Sequence, residues 1–284
     1  MKTIGIITNN DQGVFQRAII DGVREVAQEH HYSVEVDVLA EDRHRKIRPI
    51  ALDINALAGI LVIADVMPQD TLMKLHQTGK PVSLVSHYVP ELPIPAVISN
   101  NIEGITRLAR YLIDDCGRRK FVYIRGEPTQ RDSIEREEAF KQELMRHNLT
   151  DAQMLRGDFE PKIAAESTKT LVDSQVEFDA IVAADYLMAV RALHVLQEAG
   201  YDVPQDVSVV GFGDGVEAEA AGLTTVAANV IEQGRRAARQ LLGQINGLRI
   251  RGLTVLSTEL IIRRTCRLAQ TDGDLARNML KAER

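Results

Sequence analysis

Four groupings of residues have the types and spacing to do chemistry. Gly211-Phe212-Gly213-Asp214-Gly215 follows the β-branched run 207–211 and has the look of a dinucleotide fingerprint, whose glycines let a pyrophosphate approach the backbone. That fingerprint needs a third glycine three residues after the second, and position 216 is Val. The segment is therefore read as a glycine-rich turn at a strand's carboxyl end. His87 directly follows the apolar run 82–85, whereas His30, His31, His44, His76, His147 and His194 lie on or beside helical stretches, where solvated faces are the default. Glu135, Glu137 and Glu138 share one helical stretch with Arg131 and Arg136. Mixed charges at that spacing are expected to be mostly solvated surface with local ion pairs. Cys116 and Cys266 are isolated in sequence and have no metal-ligand spacing around them; they are read as ordinary reduced residues. With no metal motif, nucleophile elbow or phosphate loop, the expectation is a non-catalytic protein without cofactor or metal, although a fold by itself never excludes chemistry.

The elements that must position these residues follow from patterning. Apolar residues are 45% of the 284 and charged residues 26%, a globular profile. The net charge of −6 gives no electrostatic reason to place the chain itself on DNA. The first apolar stretch meets Asn9, Asn10 and Asp11 at once. It is shorter than the roughly 7–15 residues of a leader core or the about 20 of a membrane span, so a cytoplasmic protein that makes no use of a membrane is expected. Short β-branched runs at 3–8, 33–39, 59–64, 81–85, 120–124, 180–183 and 207–211 alternate with stretches of helical period. Phe15, Ile19, Val23 and Val26 share one such helical face, as do Ile134, Phe140 and Leu144, and Ile231, Ala238, Leu241, Leu242 and Ile245. This alternation implies parallel sheets covered by helices. Roughly nine strands are wide for one twisted sheet, so two sheets are expected, with a seam near Cys116-Gly117 and ligand sites at the strands' carboxyl ends. Phe15, Asp65 and His87 qualify by that position in the first half, Asp185 and Asp214 in the second.

Several blocks then carry a resemblance. They are 203–212 (Val-Pro-Gln-Asp-Val-Ser-Val-Val-Gly-Phe), Leu223-Thr224-Thr225-Val226, Gln233-Gly234-Arg235-Arg236-Ala237-Ala238, and 259–266 (Glu-Leu-Ile-Ile-Arg-Arg-Thr-Cys). In this order the chain from Met1 to about Arg267 resembles the ligand-binding region of the LacI/GalR family of bacterial regulators. The resemblance implies an α/β fold of the type I periplasmic binding protein kind: two doubly wound, Rossmann-like lobes joined by three crossovers. One lobe would hold 1–116 plus 226–252 and the other 117–225 plus 253–267, with 268–284 a linker helix or tail. It also implies a homodimer whose small-molecule effector binds in an inter-lobe cleft and changes lobe closure.

Two departures from the family pattern matter. The family's DNA-binding headpiece is absent from this chain, so DNA would be reached only through such a headpiece; a sensor domain of a multidomain signalling protein, or a periplasmic solute-binding protein, are the alternatives. The sugar-contacting positions are also partly rewritten. Arg136 stands at the family's ligand-binding Arg, Asp185 replaces an Asn, Gly213 replaces the first Asp of a Phe-Asp-Asp, Asn100-Asn101 replaces Asp-Asn, and Ala228 stands where a cleft Gln is usual. The expected ligand-binding set is Phe15, Asp65, His87, Asn100, Arg136, Asp185 and Asp214, for a sugar-like or anionic metabolite. Arg136 would supply a fork of donors suited to a carboxylate, phosphate or vicinal diol.

Overall fold

A computed structural model describes residues 2–39, 48–149 and 152–268. His44 and residues 269–284 of the expected tail lie outside the described residues. The chain divides into two compact units, each built on a six-stranded sheet.

In the first unit the elements are β1 (Lys2–Thr8), α1 (Val14–Glu29), β2 (Tyr32–Val38), β3 (Gly59–Ile63), α2 (Gln69–Gln77), β4 (Val82–Val85), β5 (Ala96–Ser99), α8 (Val230–Ile245) and β11 (Leu253–Leu256). Sheet order is β11-β5-β4-β3-β1-β2, and the pairs from β11 across to β2 are parallel. Every residue of β3, β4 and β5 is buried. Strands covered on both faces by helices need apolar side chains on both, which explains why they read as continuous β-branched runs rather than alternating ones. The α1 face holds as expected for Ile19, Val23 and Val26, which are buried, with Phe15 half-buried against the same core. On α8, Ala238, Leu241 and Leu242 are buried, but Ile231 is exposed.

The second unit contains α3 (Asn101–Arg110), its π-helical extension Tyr111–Asp115, β6 (Phe121–Ile124), α4 (Arg131–Arg146), β7 (Gln153–Leu155), α5 (Pro161–Asp173), β8 (Ala180–Ala183), α6 (Tyr186–Glu198), β9 (Ser208–Phe212), α7 (Val216–Ala221), β10 (Thr224–Ala228) and β12 (Thr258–Ile261). Its order is β12-β10-β9-β8-β6-β7. Ile134 of α4 is exposed, not core-facing, while Phe140 and Leu144 are buried; Phe140 stacks on Tyr123 with ring centroids 5.2 Å apart.

The expected boundaries are displaced. Among the described residues, the first unit comprises 2–39, 48–100, 129–132 and 228–258, and the second 101–128, 133–149, 152–227 and 259–268. The first crossing thus falls at Asn100-Asn101 rather than near Cys116. Polar ties explain the shift: Asn101 donates to Glu135 at 2.9 Å and Arg110 to Glu143 at 2.7 Å, fastening α3 to α4. The last crossing falls after Thr258 rather than at Gly252, because β11 pairs with β5 of the first sheet. An apolar run this short carries no mark of which sheet it joins.

Candidate functional site

In the second sheet, β6 lies between β7 and β8, so the strand order reverses beside β6. Open α/β sheets bind ligands beyond the carboxyl ends of the strands at such a reversal, and Arg136 stands there. It is 7% exposed. Its Nε donates to Asn101 Oδ1 at 2.9 Å, and its Nη1 to the carbonyl of Ala184, just past β8, at 2.9 Å. Its guanidinium lies 3.9 Å above the ring of Phe212, the last residue of β9. Arg136 is therefore a buried, pre-oriented cation spanning the ends of two strands, not part of a solvated acidic helix. The polar partner from the Asn100-Asn101 pair is Asn101, which is buried. Asn100, named from the resemblance, follows β5 in the first unit and donates its N–H to the carbonyl of Leu256 at 2.9 Å.

Asp185 follows β8 and caps α6, accepting from the Met188 N–H at 2.7 Å. Burial pushes its carboxyl up to about 6, against that hydrogen bond and the attraction of Arg136. Asp214 is placed differently: both carboxylate oxygens accept from Arg263, at 2.9 and 2.8 Å, which ties it to the segment after β12. Gly213 has φ +90°, and a Cβ there would lie 3.0 Å from the Tyr186 ring. The turn needs a left-handed backbone, so the rewriting of Asp to Gly at this position is built into the local geometry. It also bears out the reading of 211–215 as a strand-end turn.

The structure adds a residue that sequence reasoning missed. Asp158 and Phe159, after β7, both have positive φ, 53° and 57°. Strained residues in sequence cluster at functional sites. The Phe159 ring stands where a Cβ on Gly126, just past β6, would lie 2.3 Å away. The available signal was the pairing of Gly126 with the Gly157-Asp158 turn, which is meaningful only once β6 and β7 are known to be neighbours.

In the first unit the order reverses between β1 and β3. Ala64 and Ser86 have φ of 58° and 51°, marking the ends of β3 and β4 with left-handed backbone. These kinks lead directly into Asp65 and His87. Asp65 Oδ1 lies against His87 Nδ1, and its Oδ2 accepts from the Arg131 N–H at 3.0 Å. His87 Nε2 is buried with no hydrogen-bond partner among the described residues. Arg131 also donates to the Tyr88 carbonyl at 3.0 Å and lies over the Tyr88 ring. Gln233 fixes this rim from below, accepting from Ser86 Oγ and donating to Ser99 Oγ, both at 2.8 Å. Phe15, in the first turn of α1, is half-buried against the core of the first unit.

The acidic helix differs from expectation in a second way. Glu138 is exposed, but Glu137 and Glu143 are buried. Glu137 accepts from Arg125 at 2.6 Å and Lys141 at 2.7 Å, and Glu143 from Arg110 at 2.7 Å and Arg146 at 2.8 Å. Burial alone would raise both carboxyls; the hydrogen bonds and opposite charges win and hold them below the usual 4.5. A folded value below the unfolded one means stability present above pH 4.5 and lost as pH falls through the folded value. Urea midpoints measured from pH 6 to 3 should fall below pH 4.5. Glu143→Gln should lower the midpoint at neutral pH and flatten the acid decline, and a decline of unchanged steepness would count against this pairing. No group of three or more metal-ligating side chains occurs among the described residues, and no helix there is long and apolar enough to cross a membrane.

Two doubly wound units, each with a polar cluster at its strand reversal, define a ligand-binding protein of the periplasmic binding protein class. Residues 109–266 match the family model described as periplasmic binding protein-like domain, and the chain belongs to that family. It is homologous to LacI-type repressors. It is 28% identical over 273 residues to the HTH-type transcriptional repressor CytR of Escherichia coli (strain K12), covering 94% of this chain and 80% of that one. It is 27% identical over 274 residues to the HTH-type transcriptional repressor PurR of Haemophilus influenzae (strain PittEE), covering 93% and 81%. Among solved structures, a putative transcriptional regulator LacI from Bacillus cereus subsp. cytotoxis NVH 391-98 has the same fold, with TM-score 0.83, 22% identity and coverage of 95% and 100%.

Proposed function

We propose that this chain is the effector-sensing domain of a cytoplasmic LacI-type transcriptional regulator. It acts as a homodimer and takes a small sugar-like or anionic metabolite at the carboxyl ends of its strands. The observation that carries the reading is Arg136: a buried guanidinium held by Asn101, Ala184 and Phe212 at the reversal of the second sheet. Holding a cation so firmly before any ligand arrives removes ordering cost from the binding step. A metabolite with an anion or diol for Arg136 and a donor for Asp185 would be held at the strand ends of the second unit, with Phe159 beside its apolar face. Such a ligand shifts lobe closure only as far as its contacts differ between open and closed states.

The test is a metabolite screen by thermal shift, followed by titration of hits against Arg136→Ala. Losing a charge-assisted bond costs about 1.5–3 kcal/mol, roughly ten- to a hundredfold in affinity. Because Arg136 also braces α4, circular dichroism must show the variant folded at the titration temperature, and Arg136→Lys should retain part of the affinity. Equal affinity of the parent and a folded Arg136→Ala would place the ligand elsewhere.

A further inference from the structure

The two cysteines, 150 positions apart in sequence, converge in the second unit at the end of its sheet opposite the strand ends described above. Arg118, two residues past Cys116, donates to Ser208 Oγ at 3.0 Å, and Ser208 opens β9. The next residue, Val209, donates its N–H to the carbonyl of Thr265, the neighbour of Cys266, at 3.1 Å. Thr265 is fixed in turn, its Oγ1 accepting from the Thr224 N–H at 2.9 Å. Cys116 is fixed by its own N–H, which donates to the Tyr111 carbonyl at 3.0 Å and closes the π-helical turn. Both side chains are buried, at 7% and 8% exposure, and each thiol is near enough to perturb the proton affinity of the other.

We propose that Cys116 and Cys266 form a reversible intramolecular disulfide in response to hydroperoxides, pinning the segment that follows β12 to the end of the α3 helix. The chemistry has an attacking and a resolving partner. The neighbouring Cys266 thiol, with help from the Tyr111 hydroxyl and the charge of Arg118, draws the Cys116 thiol down to about 7 against its burial. The same proximity and burial push Cys266 up. Cys116 is thus the more acidic of the two, and thiolates are the nucleophiles in such reactions. Its sulfur attacks a peroxide oxygen: the S–O bond forms, the O–O bond breaks, and hydroxide leaves to be protonated as water. The Cys266 sulfur then attacks the sulfenic acid. The S–S bond forms, the S–O bond breaks, and the Cys266 proton leaves with the hydroxyl as a second water. The peroxide is reduced by two electrons and the two thiols are oxidised by two. An adjacent resolving thiol stops oxidation at the reversible stage.

The segment after β12 is the one that Asp214 holds through Arg263. Oxidation would therefore brace the same stretch of chain from a second side.

The experiment uses the full reduced chain at micromolar concentration with a few equivalents of hydrogen peroxide. Samples are quenched in acid, unfolded, treated with N-ethylmaleimide and weighed by mass spectrometry. Expected is the joint loss of both thiols, a mass lower by two hydrogens, and a crosslinked 116–266 peptide that dithiothreitol reverses. Cys116→Ser should block the reaction. Cys266→Ser should leave a sulfenic acid on Cys116 that dimedone traps. Unfolding before alkylation exposes both thiols, so burial does not hide a negative result. Two maleimide-reactive thiols after hours of peroxide, over-oxidation without a crosslink, or disulfides only between chains would each overturn the proposal.

Discussion

Gly234→Ala is expected to destabilise the protein by about 1–2 kcal/mol, although alanine in a helix interior ordinarily gains about 1 kcal/mol over glycine. Helices α1 and α8 cross at two glycines that face each other's backbone. A Cβ on Gly234 would lie 2.2 Å from the Ile19 carbonyl oxygen, and one on Gly22 would lie 2.2 Å from the Ile231 carbonyl oxygen. Backbone carbonyls in helices do not rotate aside, so the helices must separate. Separation opens the layer in which Ile19, Val23, Ala237, Ala238 and Leu241 are wholly buried. The strain of inserting one methyl group into a packed core, typically about 1–3 kcal/mol, then outweighs the gain in propensity. Gly243→Ala on the same helix is the control. Its near neighbour is Ile250 Cδ1 at 2.5 Å, the free end of a side chain that turns away, so a change between zero and a gain of about 1 kcal/mol is expected. Urea midpoints of the two variants decide the matter, and a Gly234→Ala midpoint at or above the parent's would refute the backbone contact.

That contact also shows what the sequence could and could not convey. Six of the seven legible strands are central parallel ones, apolar on both faces, leaving runs such as Ile60–Ile63 that no surface segment would carry, whereas β2 lies at a sheet edge. β5, β7 and β11 were not singled out. Gln153–Leu155 has only three residues, and Leu253–Leu256 lies at a sheet edge with Leu253 and Val255 exposed, so neither stands out against a loop. The site was legible wherever position alone defines it: Asp65 and His87 follow strands and do meet. It was illegible where the partner is remote. Nothing local tells Asp214 that Arg263 will occupy it, or Phe159 that Gly126 makes room for its ring. Glu137 reads as surface because a charged helix is usually solvated, and Glu143 was not singled out. Their burial depends on Arg125 and Arg110, which come from other elements. Likewise Cys116 and Cys266 looked isolated because their common neighbour, Ser208, opens a strand that neither cysteine adjoins in sequence.

Asp185→Asn should stabilise the protein at neutral pH and weaken effector binding at the same time. Asp185 accepts the Met188 N–H as the cap of α6, and an asparagine oxygen caps a helix about as well, so the helix start is kept. What changes is the charge. Burial raises this carboxyl from 3.8 to about 6, and at about 1.4 kcal/mol per tenfold change in proton affinity its ionisation opposes folding by about 3 kcal/mol at pH 7. The sign follows from a folded value above the unfolded one. The carboxyl's contribution to stability is fully present below pH 3.8 and lost as pH rises through about 6. The gain from Asp185→Asn should therefore approach about 3 kcal/mol at pH 7 and shrink towards nothing near pH 4. The opposite trend from Glu137 and Glu143 begins below 4.5, so the two are separable by range. A chain that keeps a costly acid where an amide would cap equally well has a use for the acid. In the proposed site that use is to accept hydrogen bonds from a donor-bearing ligand, in the anionic form that binds them most strongly. Urea midpoints at pH 4 and 7, together with effector titration at pH 7, test both halves. A variant no more stable than the parent at pH 7 would show that the carboxyl is not strained. A more stable variant with undiminished affinity would remove Asp185 from the ligand site and leave it a cap alone.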